Sequence, residues 1–182
     1  MTIKRISVFG GSSPKPGDTD YENACKLGKY LGDAGYIVLT GGYIGTMEAV
    51  SRGVVENGGY TIGVTCDEIE RWRPVGPNPW VQEEHRCEKL QERLTVLIND
   101  CDAAIALPGG IGTLSEILLM WSLMSIKSIP LKPLLLVGQG WYDTMQTFIR
   151  TQNRYIPDEM NYFVTYTADV DTAIDYLKNT DI

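Results

Sequence analysis

The chain has 182 residues, is 43% hydrophobic and 21% charged, and carries a formal net charge of −7. That length fits one domain, 1–182, with a full core. The acidic balance disfavours a free polyanion such as nucleic acid as a partner, because the average surface repels it. It leaves room for a small phosphorylated ligand wherever positive groups gather locally.

In chain order, Ile6-Ser7-Val8-Phe9 reads as a first strand, entered directly from Met1-Thr2-Ile3-Lys4-Arg5 with no signal-peptide core. It ends at Gly10-Gly11-Ser12-Ser13. Residues 21–34 read as a helix with Asp18, Thr19 or Asp20 as N-cap, closed by Gly35. A second strand, 36–40, runs into Gly41-Gly42. A second helix, 45–57, is stopped by Gly58-Gly59, and 61–65 is a third strand. Residues 66–82 hold Pro74, Pro77, Pro79, Trp72 and Trp80 and read as a long lid or binding connection. The alternation then resumes, with helix 86–99, strand 102–107, helix 113–125, strand 133–137, helix 141–152, strand 162–165 and helix 168–178. Alternation of this kind predicts an α/β fold, a Rossmann-like open and mostly parallel sheet with helices on both faces. Three glycine turns would then share the carboxyl edge of the sheet, where ligands bind in such folds. No apolar run approaches the ~20 residues that span a bilayer, so no membrane partner is expected. Cys25, Cys66, Cys87 and Cys101 show no C-x-x-C spacing and read as free thiols of a cytoplasmic protein.

The densest chemistry lies at Leu107-Pro108-Gly109-Gly110-Ile111-Gly112-Thr113-Leu114-Ser115-Glu116. A glycine turn at the head of a helix offers unpaired N–H groups and the positive end of the dipole to an anion. Gly109, Gly110, Ile111, Gly112 and Thr113 are therefore the candidate phosphate cradle. Glu116, one turn on, either caps the helix in a Thr113-x-x-Glu116 box or points its carboxylate into the crevice. On helix 86–99 the period of 3.6 gathers Arg86, Lys89 and Arg93 on one border of the apolar face, with Arg93 the best placed inside the helix. They are either snorkelling cations or a basic stripe beside the phosphate. Thr40-Gly41-Gly42-Tyr43-Ile44-Gly45 is a second glycine turn, without the full spacing of a nicotinamide dinucleotide site. His85 matches no standard metal site. Trp72 and Trp80, with Arg71 and Arg73, either stack on a base or plug the connection onto the core. Helix 113–126 is apolar nearly all round, which asks for a second packing partner. A homodimer is the simplest.

Pro108-Gly109-Gly110-Ile111-Gly112-Thr113-Leu114-Ser115-Glu116 resembles the P-G-G-x-G-T-x-x-E signature of the Lonely guy (LOG) family. Those proteins are cytokinin riboside 5′-monophosphate phosphoribohydrolases, often mislabelled lysine decarboxylases. Phe9-Gly10-Gly11-Ser12-Ser13 and Thr40-Gly41-Gly42 with Gly45 and Met47-Glu48-Ala49 look like the family's first and second turns. Leu94 stands where the family has the Lys of an Arg-Lys pair, and Tyr43-Ile44 where it has Gly-Pro. The resemblance implies a Rossmann-like dimer that hydrolyses the N-glycosidic bond of a purine nucleoside 5′-monophosphate. It implies Arg93 and Glu116 as the catalytic pair, Gly109 to Thr113 on the 5′-phosphate, Ser122 as a further binding residue, and Gly11, Ser12, Gly41 and Gly42 in the nucleotide site. No metal and no organic cofactor is implied. Molybdenum cofactor carriers resemble the family too, so a carrier of a phosphorylated ligand is the alternative.

Overall fold

Seven parallel strands form one sheet in the order β4-β3-β2-β1-β5-β6-β7. A computed structural model describes residues 4–179. Met1 to Ile3, read above as leading straight into the first strand, lie outside the described residues. In chain order the elements are β1 (Arg5–Phe9), α1 (Thr19–Asp33), β2 (Ile37–Thr40), α2 (Thr46–Glu56), β3 (Tyr60–Cys66), α3 (Asp67–Trp72), β4 (Glu83–Cys87), α4 (Leu90–Asn99), β5 (Ala103–Ala106), α5 (Ile111–Ser125), β6 (Leu134–Val137), α6 (Gln139–Thr151), a 3-10 turn (Asp158–Phe163), β7 (Thr165–Thr167) and α7 (Val170–Lys178).

Strand residues alternate between two cores, as a sheet covered on both faces requires. Ile6, Val8, Val38, Ile105, Leu135 and Val137 pack beneath α1, α2 and α7. Phe9, Leu39, Ala104, Leu134 and Leu136 face α4, α5 and α6 on the other side. α1 and α2 lie unusually close, because a Cβ on Gly28 would fall 2.2 Å from the Val50 carbonyl and one on Gly53 2.2 Å from that of Cys25. The buried Ser7 hydroxyl donates to the Leu97 carbonyl at 2.6 Å, which satisfies the one buried polar side chain of β1.

Strand order turns back between β1 and β5, which are direct neighbours (Ile6↔Ala103, Val8↔Ile105). The loops leaving these two strands therefore diverge to opposite faces and open a crevice at their carboxyl ends. Both loops are glycine turns.

Two strands depart from the sequence reading by more than a residue. Residues 83–87 form β4, an edge strand paired with β3 (Val64↔His85, Cys66↔Cys87), and the helix begins only at Leu90. Its start is set by carboxylates at its head: Glu92 accepts from the N–H groups of Glu88 (3.2 Å) and Lys89 (3.3 Å), and Glu68 from that of Leu90 (2.8 Å). The charged Glu83-Glu84-His85-Arg86 run suits an exposed edge, where charge deters pairing with another chain. At the other end, residues 158–163 form a 3-10 turn, and the strand is Thr165–Thr167, paired with β6. The Trp121 indole N–H donates to the Met160 carbonyl and pins that turn onto α5.

Candidate functional site

The first and third glycine turns are bound together. Gly11 N–H donates to the Pro108 carbonyl at 3.1 Å. The Gly11 carbonyl in turn accepts from both the N–H and the hydroxyl of Thr46, at 2.9 Å each, so the head of α2 braces the turn after β1. A cavity of about 270 Å³ opens above them, lined by Gly10 to Ser13, Gly41, Tyr43, Met47, Ile69, Arg73, Arg93, Gly110 to Thr113 and Glu116.

One wall is the head of α5. Gly110 is its N-cap, and Leu114 N–H is the first to bond back, to the Gly110 carbonyl. The N–H groups of Ile111, Gly112 and Thr113 thus have no partner within the helix. A Cβ on Gly110 or Gly112 would meet nothing within 4 Å, so at these two positions the missing side chain leaves open room beside the amides. Ile111 is largely exposed. α5 starts two residues earlier than the sequence suggested, which puts Thr113 inside the first turn rather than at the N-cap. The Thr113–Glu116 capping box is therefore not formed. The Thr113 hydroxyl instead fills the place a Cβ on Gly109 would take, 2.2 Å away.

The floor is an ion pair. Arg93 comes from the first turn of α4 and Glu116 from the second turn of α5, and their side chains are only 7% and 8% exposed. Arg93 Nη1 lies 3.6 Å from Glu116 Oε1. β2 pairs with β3 no further than Thr40↔Gly63, and the next carbonyl, Val64, accepts from Arg93 Nε at 2.7 Å. Gly41 makes room for the guanidinium: a Cβ there would fall 2.0 Å from Arg93 Nη2. Burial pushes the Glu116 carboxyl up to about 7, and the facing Arg93 charge only partly offsets this. Glu116 therefore exchanges its proton near neutrality.

Tyr43 connects floor and roof. It is 1% exposed, its ring lies 5.9 Å from the Cζ of both Arg93 and Arg73, and its hydroxyl accepts from Cys66 N–H at 2.8 Å with the Glu70 carboxylate 3.4 Å away. Burial raises the Tyr43 phenol above its ordinary value. The roof is α3 and its C-terminal end, a short helix within the 66–82 stretch that reads from sequence as a long lid or binding connection. It contributes Ile69 and Arg73 to the lining.

Of the residues singled out from sequence, the cavity gathers Arg93, Glu116, Gly110, Ile111, Gly112, Thr113, Gly41, Gly11 and Ser12. Gly109 and Gly42 are not in its lining. Gly109 borders a neighbouring hollow with Val137 and Trp141, and Gly42 packs against Gly63 and Thr65. Ser122 is not brought to the site. It lies two turns down α5 in an outer hollow with Leu118, Ile126, Phe148 and Tyr155, because six residues of helix carry a side chain well round the axis and about 9 Å along it. The expected basic stripe is also divided: Arg86 sits on β4, paired with Asp67 (2.7 Å), Glu70 (2.9 Å) and Glu84 (3.3 Å), Lys89 is the N-cap of α4, and Arg93 alone faces the cavity. Trp80 is half-buried beneath Arg52, and its carbonyl accepts from Thr61, whereas Trp72 is 81% exposed on the roof. His85 is exposed on β4, and among the described residues no group of three or more His, Cys, Asp or Glu is placed to hold a metal ion. Cys25, Cys66, Cys87 and Cys101 are free. No described helix is long and apolar enough to cross a membrane. The sequence offers Arg73 only as a companion of Trp72 and Trp80, on a base or against the core; the structure puts it in the lining of this cavity.

A family model described as "Possible lysine decarboxylase" matches residues 47–177. The chain is 34% identical over 150 residues to a probable cytokinin riboside 5′-monophosphate phosphoribohydrolase, LOGL5, of Oryza sativa subsp. japonica, covering 81% of this chain and 59% of the relative. It is 36% identical to the cytokinin riboside 5′-monophosphate phosphoribohydrolase LOG of the same plant, covering 81% and 60%. The chain thus spans about three-fifths of the length of these curated relatives. Among solved structures, the molybdenum cofactor binding protein from Rippkaea orientalis superposes with a TM-score of 0.76 at 25% identity, covering 98% of both chains.

Proposed function

The chain belongs to the Lonely guy (LOG) family, and from that premise we propose that it hydrolyses the N-glycosidic bond of a purine nucleoside 5′-monophosphate to free base and ribose 5-phosphate. One observation carries the reading: a buried carboxylate faces a buried guanidinium at the floor of the cavity into which the glycine head of the same helix opens. Four residues from Gly112 to Glu116 rise about 6 Å along the axis, roughly the span from the phosphate of a ribose 5-phosphate to its anomeric carbon.

The three unpaired amides of α5 hold the phosphate and so fix the ribose. As the C1′–N bond lengthens, its electron pair leaves with the base and positive charge builds at C1′, as in glycoside hydrolysis. The ionised Glu116 stabilises that charge and takes a proton from the attacking water, which it returns to the departing base. A carboxyl that titrates near neutrality suits both halves of this exchange. Arg93 keeps Glu116 ionised and oriented. The −7 charge weighs against a polynucleotide substrate, and the four free thiols suit a cytoplasmic setting. Decarboxylation by pyridoxal phosphate would need a Schiff-base lysine, and the cavity lining contains no lysine.

The test is chromatography of the purified protein with a panel of nucleoside 5′-monophosphates, N6-modified adenosine monophosphates included. Release of base and ribose 5-phosphate supports the proposal; nucleotide retained with no base released supports the carrier reading, which the likeness to a molybdenum cofactor binding protein favours. The pH dependence is a second check. Glu116 acts as a carboxylate, so kcat/KM should rise with pH through about 7 and level off above it. A profile that falls across this range would assign the protonated acid instead.

We also propose a homodimer through the outer face of α5, where Leu118, Ile126 and the α6 residue Phe148 are exposed. Sedimentation should give twice the 20.2 kDa chain mass, and Ile126→Lys should return it toward the monomer.

A further inference from the structure

We propose that Arg73 is the phosphate's counter-charge, reaching from the roof of the cavity to the anion held at the head of α5. This deepens the reading above and rests on its phosphate anchor. Three observations point there.

The first is position. Arg73 Nη1 donates to Ser12 Oγ at 3.0 Å. The adjacent Gly11 is bonded to Pro108, and a Cβ on Gly11 would lie 3.4 Å from the Gly109 α-carbon. Arg73 therefore stands over the joint between the first glycine turn and the phosphate loop. Ser12, Arg73 and Gly110 to Thr113 line the same cavity.

The second is an unmade bond. Arg73 Nε is buried and has no hydrogen-bond partner. A buried donor on a cation is costly to leave unpaired. The guanidinium fork suits a phosphate oxygen, and an anion that draws the side chain toward the cavity would give Nε the acceptor it lacks.

The third is charge. Arg93 and Glu116 answer each other at the floor. The α3 carboxylates Asp67 and Glu70 are turned to Arg86. Among the described residues Arg73 makes no ion pair, so it is the uncompensated cation of the lining. Its guanidinium is also held in place, with Cζ 5.9 Å from the Tyr43 ring and 6.0 Å from that of Trp72. In an acidic chain, a fixed, unpaired cation facing a helix head gives an anion two independent reasons to bind at one spot.

The experiment is calorimetric titration of the full chain with ribose 5-phosphate, with unphosphorylated ribose as the control. Arg73→Gln and Arg73→Met are used together, so that a folding defect in one, read from its melting curve, leaves the other to decide. Each is expected to weaken ribose 5-phosphate roughly 10- to 100-fold and to leave any weak ribose binding unchanged. In turnover the same variants should raise KM and keep kcat within about threefold, since the phosphate contact is made alike in ground and transition states. Ribose 5-phosphate bound within twofold of wild type by a folded variant overturns the inference, as does a fall in kcat at constant KM. Failure of the wild type to hydrolyse any nucleotide would defeat the enzymatic reading and leave the titration to decide Arg73. Unchanged binding by the variants of a protein that does hydrolyse nucleotides would defeat only Arg73.

Discussion

Glu116→Gln is expected to lower release of free base from a nucleoside 5′-monophosphate by roughly 10²- to 10⁴-fold while the protein stays folded. The amide keeps the size and the acceptor oxygen that face Arg93, so the cavity keeps its shape. It cannot carry the negative charge that the positive anomeric centre needs, nor accept a proton from water. Nucleotide binding should survive, because the phosphate is held by α5, and the loss should fall on kcat. The same variant makes a prediction about stability. The folded carboxyl titrates at about 7 against an ordinary 4.5, so the fold favours the protonated form. Stability owed to the protonated group is fully present below about 4.5 and declines as pH rises to about 7, a difference on the order of 3 kcal/mol. The amide never ionises and avoids that decline. Glu116→Gln should therefore melt close to wild type at pH 4.5 and above it at pH 8. A variant that is inactive and also less stable at pH 8 would mean that the ion pair, rather than the chemistry, is what the acid is kept for.

Arg93→Ala is expected to cost activity at least a hundredfold and, unlike the change at Glu116, to cost stability as well. The side chain is buried and held at both ends, by the Val64 carbonyl and by Glu116. Removing it strands that carbonyl, leaves a void against Gly41, and takes away the cation that partly offsets burial of the carboxylate. The loss should be about 3 kcal/mol at pH 8 and smaller at pH 5, where Glu116 is protonated in both proteins. With no facing charge the carboxyl titrates higher still, so the residual activity should need a more alkaline solution than wild type does. Urea unfolding at the two pH values, with a pH–rate profile, reads both effects. Arg93→Lys keeps the charge but loses the fork that reaches Val64 and Glu116 together; it should recover stability more fully than rate.

The parts of the site legible in the sequence are those whose chemistry is local. Gly110, Gly112 and Glu116 share one turn-helix unit, and the strand before them is an uninterrupted apolar run, so position along the chain fixed position in space. Arg93 was found by helical periodicity, which still worked with the start of α4 placed four residues early. That error arose because Glu83-Glu84-His85-Arg86 has little intrinsic preference for a strand; only pairing with β3 makes it one, and pairing is not written in a local window. At the other end the apolar Tyr162-Phe163-Val164 run resembled a strand, yet Pro157 opens a 3-10 turn and the polar Thr165-Tyr166-Thr167 takes the edge position. Thr113 and Glu116 have the spacing of a cap, and it was the earlier start of α5 at Ile111 that removed that role. Ser122 is the opposite case: only the family resemblance put it in the site, and the turn of α5 carries it to the outer face. Arg73 was the hardest to read, because its partners Ser12 and Tyr43 lie 61 and 30 residues away and come together only through the crossover of α3 above the sheet.

A crystal structure of the Glu116→Gln protein soaked with adenosine 5′-monophosphate puts the central claim to its most direct trial. The expected density has the phosphate within hydrogen-bonding reach of the Ile111, Gly112 and Thr113 amides and the residue 116 side chain against the anomeric carbon. A nucleotide bound with its phosphate away from α5, or with its ribose turned from residue 116, would contradict the account.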